Sequence, residues 1–196
     1  MKPSRLEAFS DGVFAVAITL LVFNLKVPDI AMGHLAKALG HDWPSYFAYV
    51  ISFLSIGICW VNHHSIFDRV AMVDRELLFA NLALLLGIVS IPFSTSLAAT
   101  WYNQGTNARW AIGIYCGIWV YTSAMYIIII RHLMEHEHLS ENASGVTLKS
   151  LLSKGYVGIS IYIVATLVSA FLPLAAFTIC FVLAFYYIVG VQQEVT

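Results

Sequence analysis

Residues 77–108, 110–130 and 155–193 contain no Asp, Glu, Lys or Arg. A bilayer span needs about 20 consecutive apolar residues. Each run therefore holds at least one span, and the last, with Pro173 near its middle, holds two. The whole chain is 60% apolar and 11% charged, against roughly 45–50% and about 25% in a soluble domain. A water-soluble domain of 196 residues has no interior large enough for that apolar surface, so the chain reads as an all-α, polytopic membrane protein embedded in a lipid bilayer. A net charge of −1 and the lack of a phosphate-binding glycine loop give no footprint for nucleic acid. Cys59, Cys116 and Cys180 are odd in number and set in apolar runs, so they read as small buried hydrophobes rather than a disulfide or zinc framework.

The apolar runs divide into six helices, over residues 6–27, 43–63, 77–100, 107–131, 154–172 and 173–192. No internal repeat appears, and residues 1–196 form one transmembrane domain. Glu7 and Asp11 interrupt what would be the charged end of a signal peptide, and no small-residue cleavage site follows, so the first helix is expected in the mature protein. Lys and Arg concentrate in the cytoplasmic loops of membrane proteins. With the N-terminus inside, Lys2, Arg5, Arg69, Arg75, Arg131, Lys149 and Lys154 are cytoplasmic, and only Lys26, Lys37 and Arg109 face out. The bias predicts a multi-pass cell-membrane protein with both termini cytoplasmic. Trp43, Trp101, Tyr102 and Trp110 then mark the outer interface, and the sequon Asn142-Ala-Ser144 falls on the cytoplasmic side, unused. His132 and His136, one helical turn apart, offer two metal ligands but no third of recognisable spacing; this stretch is expected to be a solvated helix end, and no metal is expected.

Chemistry concentrates in the first helix. An acidic side chain near the end of a span is costly unless it is paired or faces water, which makes Asp11 a functional or packing site. At 100° per residue, Val16, Thr19, Leu20 and Phe23 lie within about 60° of one line, whereas Asp11 sits about 140° from Val16. The stripe is either a pore lining or ordinary helix packing, with Thr19 bonded back to its own turn. Asp11 points to another helix, and the segment Trp60-Val-Asn62-His63-His64 ends the second span at similar depth. An indole or imidazole N–H there would satisfy the carboxylate.

Arg5-x3-Phe9-Ser10-Asp11, running into Gly-Val-Phe-Ala-Val-Ala-Ile-Thr-Leu-Leu-Val and then Lys26-Val-Pro28, resembles the signature of the potassium channels named transmembrane protein 175, in their prokaryotic single-repeat branch. Trp60-x2-His63-His64 is similar to that family's second-helix motif. The resemblance implies a homotetramer whose four first helices line a potassium-conducting pore without a selectivity-filter loop; no Thr-Val-Gly-Tyr-Gly run occurs here. It places a hydrophobic constriction at Val16, a pore threonine at Thr19 and further apolar layers at Leu20 and Phe23. It also implies a structural polar network of Arg5, Phe9, Ser10 and Asp11 with Trp60, Asn62 and His63. Potassium ions in the pore are the only bound species expected, with no cofactor. Two positions depart from the family pattern: Val16 stands where isoleucine or leucine is usual, and Asn24 where an acidic residue is common. The alternative function is a proton-handling transporter or proton leak using Asp11 and His63 as relay groups. An enzyme is not expected, since no nucleophile with a base at helical spacing and no His-Glu-x2-His occurs.

Overall fold

The computed structural model describes residues 2–28, 34–136, 139 and 145–192, the side chains of 145–147 and 188–192 excepted. All regular structure among them is helical: α1 (Pro3–Leu20), a 3-10 turn (Leu21–Asn24), α2 (Leu35–His41), α3 (Trp43–Phe67), α4 (Arg75–Trp101), α5 (Thr106–Glu135), α6 (Gly145–Ser169) and α7 (Pro173–Gln192). Five of these, α1 with its 3-10 extension, α3, α4, α5 and α6, are long and apolar enough to cross a bilayer; α7 is apolar over the shorter stretch Pro173–Tyr187. The protein is thus an all-α polytopic membrane protein.

Helix starts follow local chemistry. Pro3 and Pro44 occupy the first turns of α1 and α3, where the missing N–H costs nothing. Asp74 caps α4, its Oδ1 accepting from the Leu77 N–H at 2.7 Å. Gly105 precedes α5 at φ 53°, a left-handed conformation that glycine adopts without strain. Several boundaries differ from the sequence expectation, the second and fourth spans each running four residues further, to Phe67 and Glu135. The first helix begins at Pro3 and tightens into the 3-10 turn at Leu21 instead of running on to residue 27. The fifth span extends back to Gly145, past Lys154. The short helix α2 was not anticipated; it spans seven residues and lacks the length for a readable period.

α1 packs against α3 and α4, while α5 joins α4 to the α6 and α7 pair. The interior divides into two apolar clusters. One contains Phe14, Ile56, Leu85 and Ile88 with residues of α5, α6 and α7; the other contains Leu6, Ile66, Leu77, Leu84 and Leu133. The fourth and third helices from the N-terminus therefore pass from one cluster to the other at the same level as α1. What fills that level is polar.

The loops also tie together. Val70 and Leu139 form an antiparallel bridge. His132 Nε2 meets Asp74 Oδ2 at 2.8 Å, and its side chain is only 11% exposed. The expected solvated helix end is therefore a packed joint between the last turn of α5 and the cap of α4; sequence spacing showed the two histidines but not the acidic cap 58 residues away. Glu137, His138, Glu141 and the sequon Asn142-Ala-Ser144 lie outside the described residues. Trp43 packs edge-on against Tyr102 at 6.4 Å, and Trp110 is exposed, consistent with an interfacial belt at that end of the bundle.

Candidate pore face and polar anchor

The two faces of α1 have opposite fates. Leu6, Ser10, Phe14, Ala17 and Leu21 are buried, recurring at intervals of three and four as a helix packed on one side requires. On the other side Arg5, Phe9, Gly12, Val16, Thr19, Leu20 and Phe23 are exposed along the full helix. Val16 is 55% exposed, Leu20 43% and Phe23 77%. Thr19 Oγ1 lies 2.9 Å from both the Ala15 and Val16 carbonyl oxygens. Its single proton is donated backward into the helix, which leaves the oxygen lone pairs turned outward, the arrangement a cation ligand needs.

The edge of this face is held by two carboxylates one turn apart. Trp60 Nε1 donates to Asp11 Oδ1 at 2.8 Å, and His64 Nδ1 lies 2.7 Å from Glu7 Oε1. The Trp60 and His64 rings stack, with centroids 6.0 Å apart and planes 16° from parallel. The partner of Asp11 is thus the indole. Deeper in, between the two apolar clusters, a second set crosses three helices. Asn81 Nδ2 donates to Ser10 Oγ at 3.0 Å, and Ser10 donates in turn to the Leu6 carbonyl at 2.9 Å. The amide nitrogen being spent, Asn81 Oδ1 is the acceptor at 2.9 Å from His63 Nε2, so the imidazole carries its proton on Nε2. His63 is fully buried, stacked on Phe67 at 4.2 Å and against Phe14 at 5.4 Å. Its Nδ1 is enclosed without a hydrogen-bond partner.

The sequence-predicted site residues are therefore distributed as follows. Asp11 meets Trp60, and Ser10 and His63 are joined through Asn81 of α4. Asn81 was missed, although it is the one amide side chain in residues 77–101 and a polar group in lipid needs a partner. Asn62 does not join the network: it lines a cavity on the face of α3 turned toward α5 and α6, two residues and about 200° round the helix from Trp60. Arg5 and Phe9 sit on the exposed face, and the Arg5 guanidinium makes no hydrogen bond or ion pair with another described residue of the chain.

Residues 5–92, the segment that carries both faces of α1 and their anchors, match the family model described as endosomal/lysosomal potassium channel TMEM175. A potassium channel of Streptomyces collinus is 46% identical over 136 residues, which are 69% of this chain and 66% of that relative's length. A potassium channel of Chamaesiphon minutus is 37% identical over 187 residues, covering 93% of this chain and 92% of the relative. The crystal structure of a lysosomal potassium-selective channel TMEM175 homolog from Chamaesiphon minutus superposes with a TM-score of 0.84 at 35% identity, over 96% of this chain and 97% of that one.

Proposed function

The chain belongs to the TMEM175 family, and we propose that it is one subunit of a homotetrameric, potassium-conducting cation channel in the cell membrane, with cytoplasmic termini. The observation that carries this reading is the uncovered face of α1, apolar at Val16, Leu20 and Phe23 and interrupted by the Thr19 hydroxyl. Four copies of that face around an axis give rings of Val16 and Leu20 that supply no oxygen to a passing ion. The ion keeps most of its hydration shell there, and potassium, more weakly hydrated than sodium, loses less. Thr19 contributes an oxygen from each subunit to the partly hydrated ion, and the narrow apolar rings gate by dewetting. Ser10 and Asp11 with Trp60 and His63 belong, in this reading, to the support of the helix, and Arg5 and Phe9, on its uncovered face, to contacts between the four subunits.

Vesicles containing the protein should pass potassium down its gradient without a response to an imposed pH gradient. In Val16→Cys or Thr19→Cys that flux should be blocked by a water-soluble thiol reagent, with the parent protein, which already has Cys59, Cys116 and Cys180, as the unblocked control. Block only by cysteines placed on another helix would reject the pore assignment.

The proton-relay alternative draws less support from the geometry. Asp11 and His63 belong to separate hydrogen-bonded sets, and an amide stands on the only bonded side of the imidazole. Asp11→Ala should lower the yield of assembled protein on size exclusion in detergent, since it removes the acceptor that fixes the Trp60 indole against α1. Asp11→Asn keeps an acceptor oxygen and should be milder. A relay would give the reverse: intact assembly in Asp11→Asn with proton-linked flux abolished.

A further inference from the structure

At the end of the bundle that carries Trp43 and Tyr102, a recess of about 400 Å³ opens between the 3-10 turn, the junction of α2 with α3 and the last turns of α4. It holds one cation and one anion that do not meet. Lys26 and Asp42 both line it, yet they form no ion pair, and the Lys26 ammonium bonds to no other described residue. The one ionic neighbour of Asp42 among the described residues is His41, 3.7 Å away and 90% exposed. The uncharged lining adds acceptors. Ser90, Ser94 and Thr95 of α4 donate back into their own helix, as hydroxyls in apolar spans do. Ser96, the next residue, makes no such bond, and neither do Ser45 and Tyr46 at the start of α3; all three are half-buried. Asn24 spends an amide proton on the Pro92 carbonyl at 3.1 Å, so its Oδ1 is the atom left to accept.

We infer that this recess binds a zwitterion with a primary ammonium and a phosphate on a short carbon linker, the chemistry shared by the headgroup of phosphatidylethanolamine and by free phosphoethanolamine. The ammonium brings three N–H donors, matched by the Asp42 carboxylate, Asn24 Oδ1 and a hydroxyl; the phosphate oxygens accept from Lys26. An anion alone would face Asp42 uncompensated and a cation alone would face Lys26, so the charges select a ligand that carries both signs. Size permits it, since small-ligand sites occupy about 300–1,000 Å³. Depth favours the lipid as the source, because the Trp43 and Tyr102 rings, edge-on at 6.4 Å, mark the level of the headgroups. None of these residues belongs to the stripe of Val16, Thr19, Leu20 and Phe23, so binding here is independent of the conduction proposed above.

The test is native mass spectrometry of the full chain in detergent, titrated with phosphatidylethanolamine, phosphatidylcholine or phosphatidylglycerol of identical acyl chains, with free phosphoethanolamine as competitor. Phosphatidylethanolamine should bind about tenfold more tightly than either of the others, which lack the N–H donors or the ammonium altogether. Asp42→Asn and Lys26→Gln should each abolish that preference. Ser96→Leu, which fills the recess and leaves both charges, should abolish it as well and guards against a folding defect in the charge variants. Competition by free phosphoethanolamine would assign the site to a soluble zwitterion, and its failure to compete would assign it to the membrane lipid. Equal binding of phosphatidylcholine would overturn the inference, as would tighter binding of phosphatidylglycerol, which marks an anion site. A preference that survives any of the three variants, or the absence of saturable binding, overturns it too.

Discussion

Asn81→Leu should destabilise the folded protein by about 2–3 kcal/mol, the upper range for stranding a buried donor, and should do so in detergent or lipid without any ion present. The substitution removes the bond that accepts the His63 Nε2 proton. Nδ1 of the same ring already has no partner, so the imidazole would lie between Phe14 and Phe67 with neither nitrogen satisfied. Ser10 loses less, because its own proton stays on the Leu6 carbonyl. Hydrogen bonds between membrane helices average only about 0.6 kcal/mol, yet that average includes pairs whose members find other partners, and here the ring is fully enclosed. The asymmetry supplies the check. Since replacing both partners by apolar groups is nearly neutral, the double variant His63→Leu with Asn81→Leu should recover at least about 1 kcal/mol over the single. Apparent melting temperatures followed by tryptophan fluorescence measure both; a double variant less stable than Asn81→Leu alone would show that the layer does not act as a coupled pair.

Val16→Asn should raise the potassium current about tenfold, the equivalent of lowering the barrier by roughly 1.4 kcal/mol. It should also bring the reversal potential under opposed potassium and sodium close to zero. The valine ring of the proposed pore offers no oxygen and resists wetting, whereas four amides hold water and coordinate either cation. Val16 is exposed in the protomer and touches no buried network, so the variant should assemble normally and the comparison is not clouded by stability. An unchanged reversal potential would place ion selection elsewhere, Thr19 being the next position to test.

Much of this was legible in the sequence because membranes impose simple rules. The four apolar helices from α4 to α7 follow from uncharged run length, although α7 is apolar over only the shorter stretch Pro173–Tyr187, and the stripe of Val16, Thr19, Leu20 and Phe23 follows from a period of 3.6. The pairing of Asp11 with the end of α3 followed from depth alone, since the chain must return where it left. What periodicity misses is direction among neighbours. Asn62 and Trp60 stand two residues apart, and only the packing shows that one faces the cavity and the other α1. Asn81 lies 71 residues from Ser10, and the cap at Asp74 lies 58 from His132; neither distance leaves a local pattern. The 3-10 turn at Leu21–Asn24 escaped notice because the apolar run continues through it unchanged.

That turn has a mechanical consequence. Asn24, its last residue, donates from Nδ2 to the Pro92 carbonyl of α4 at 3.1 Å, while Ser10, fourteen positions earlier, is fastened to Asn81 of the same helix. The stretch from Ser10 to Asn24 is therefore a beam about 23 Å long, clamped at both ends to α4 and tied beside its first clamp to α3 through Asp11 and Trp60. A clamped beam neither swings out like a hinged door nor slides along its support without breaking one of its fixings. The mid-section at Val16 and Leu20 moves only as far as the whole α1 and α4 pair moves, so in the proposed tetramer the bore is set by how these paired units turn against one another. Asn24→Ala converts the beam into a cantilever, free at the Lys26 end and still anchored at Ser10.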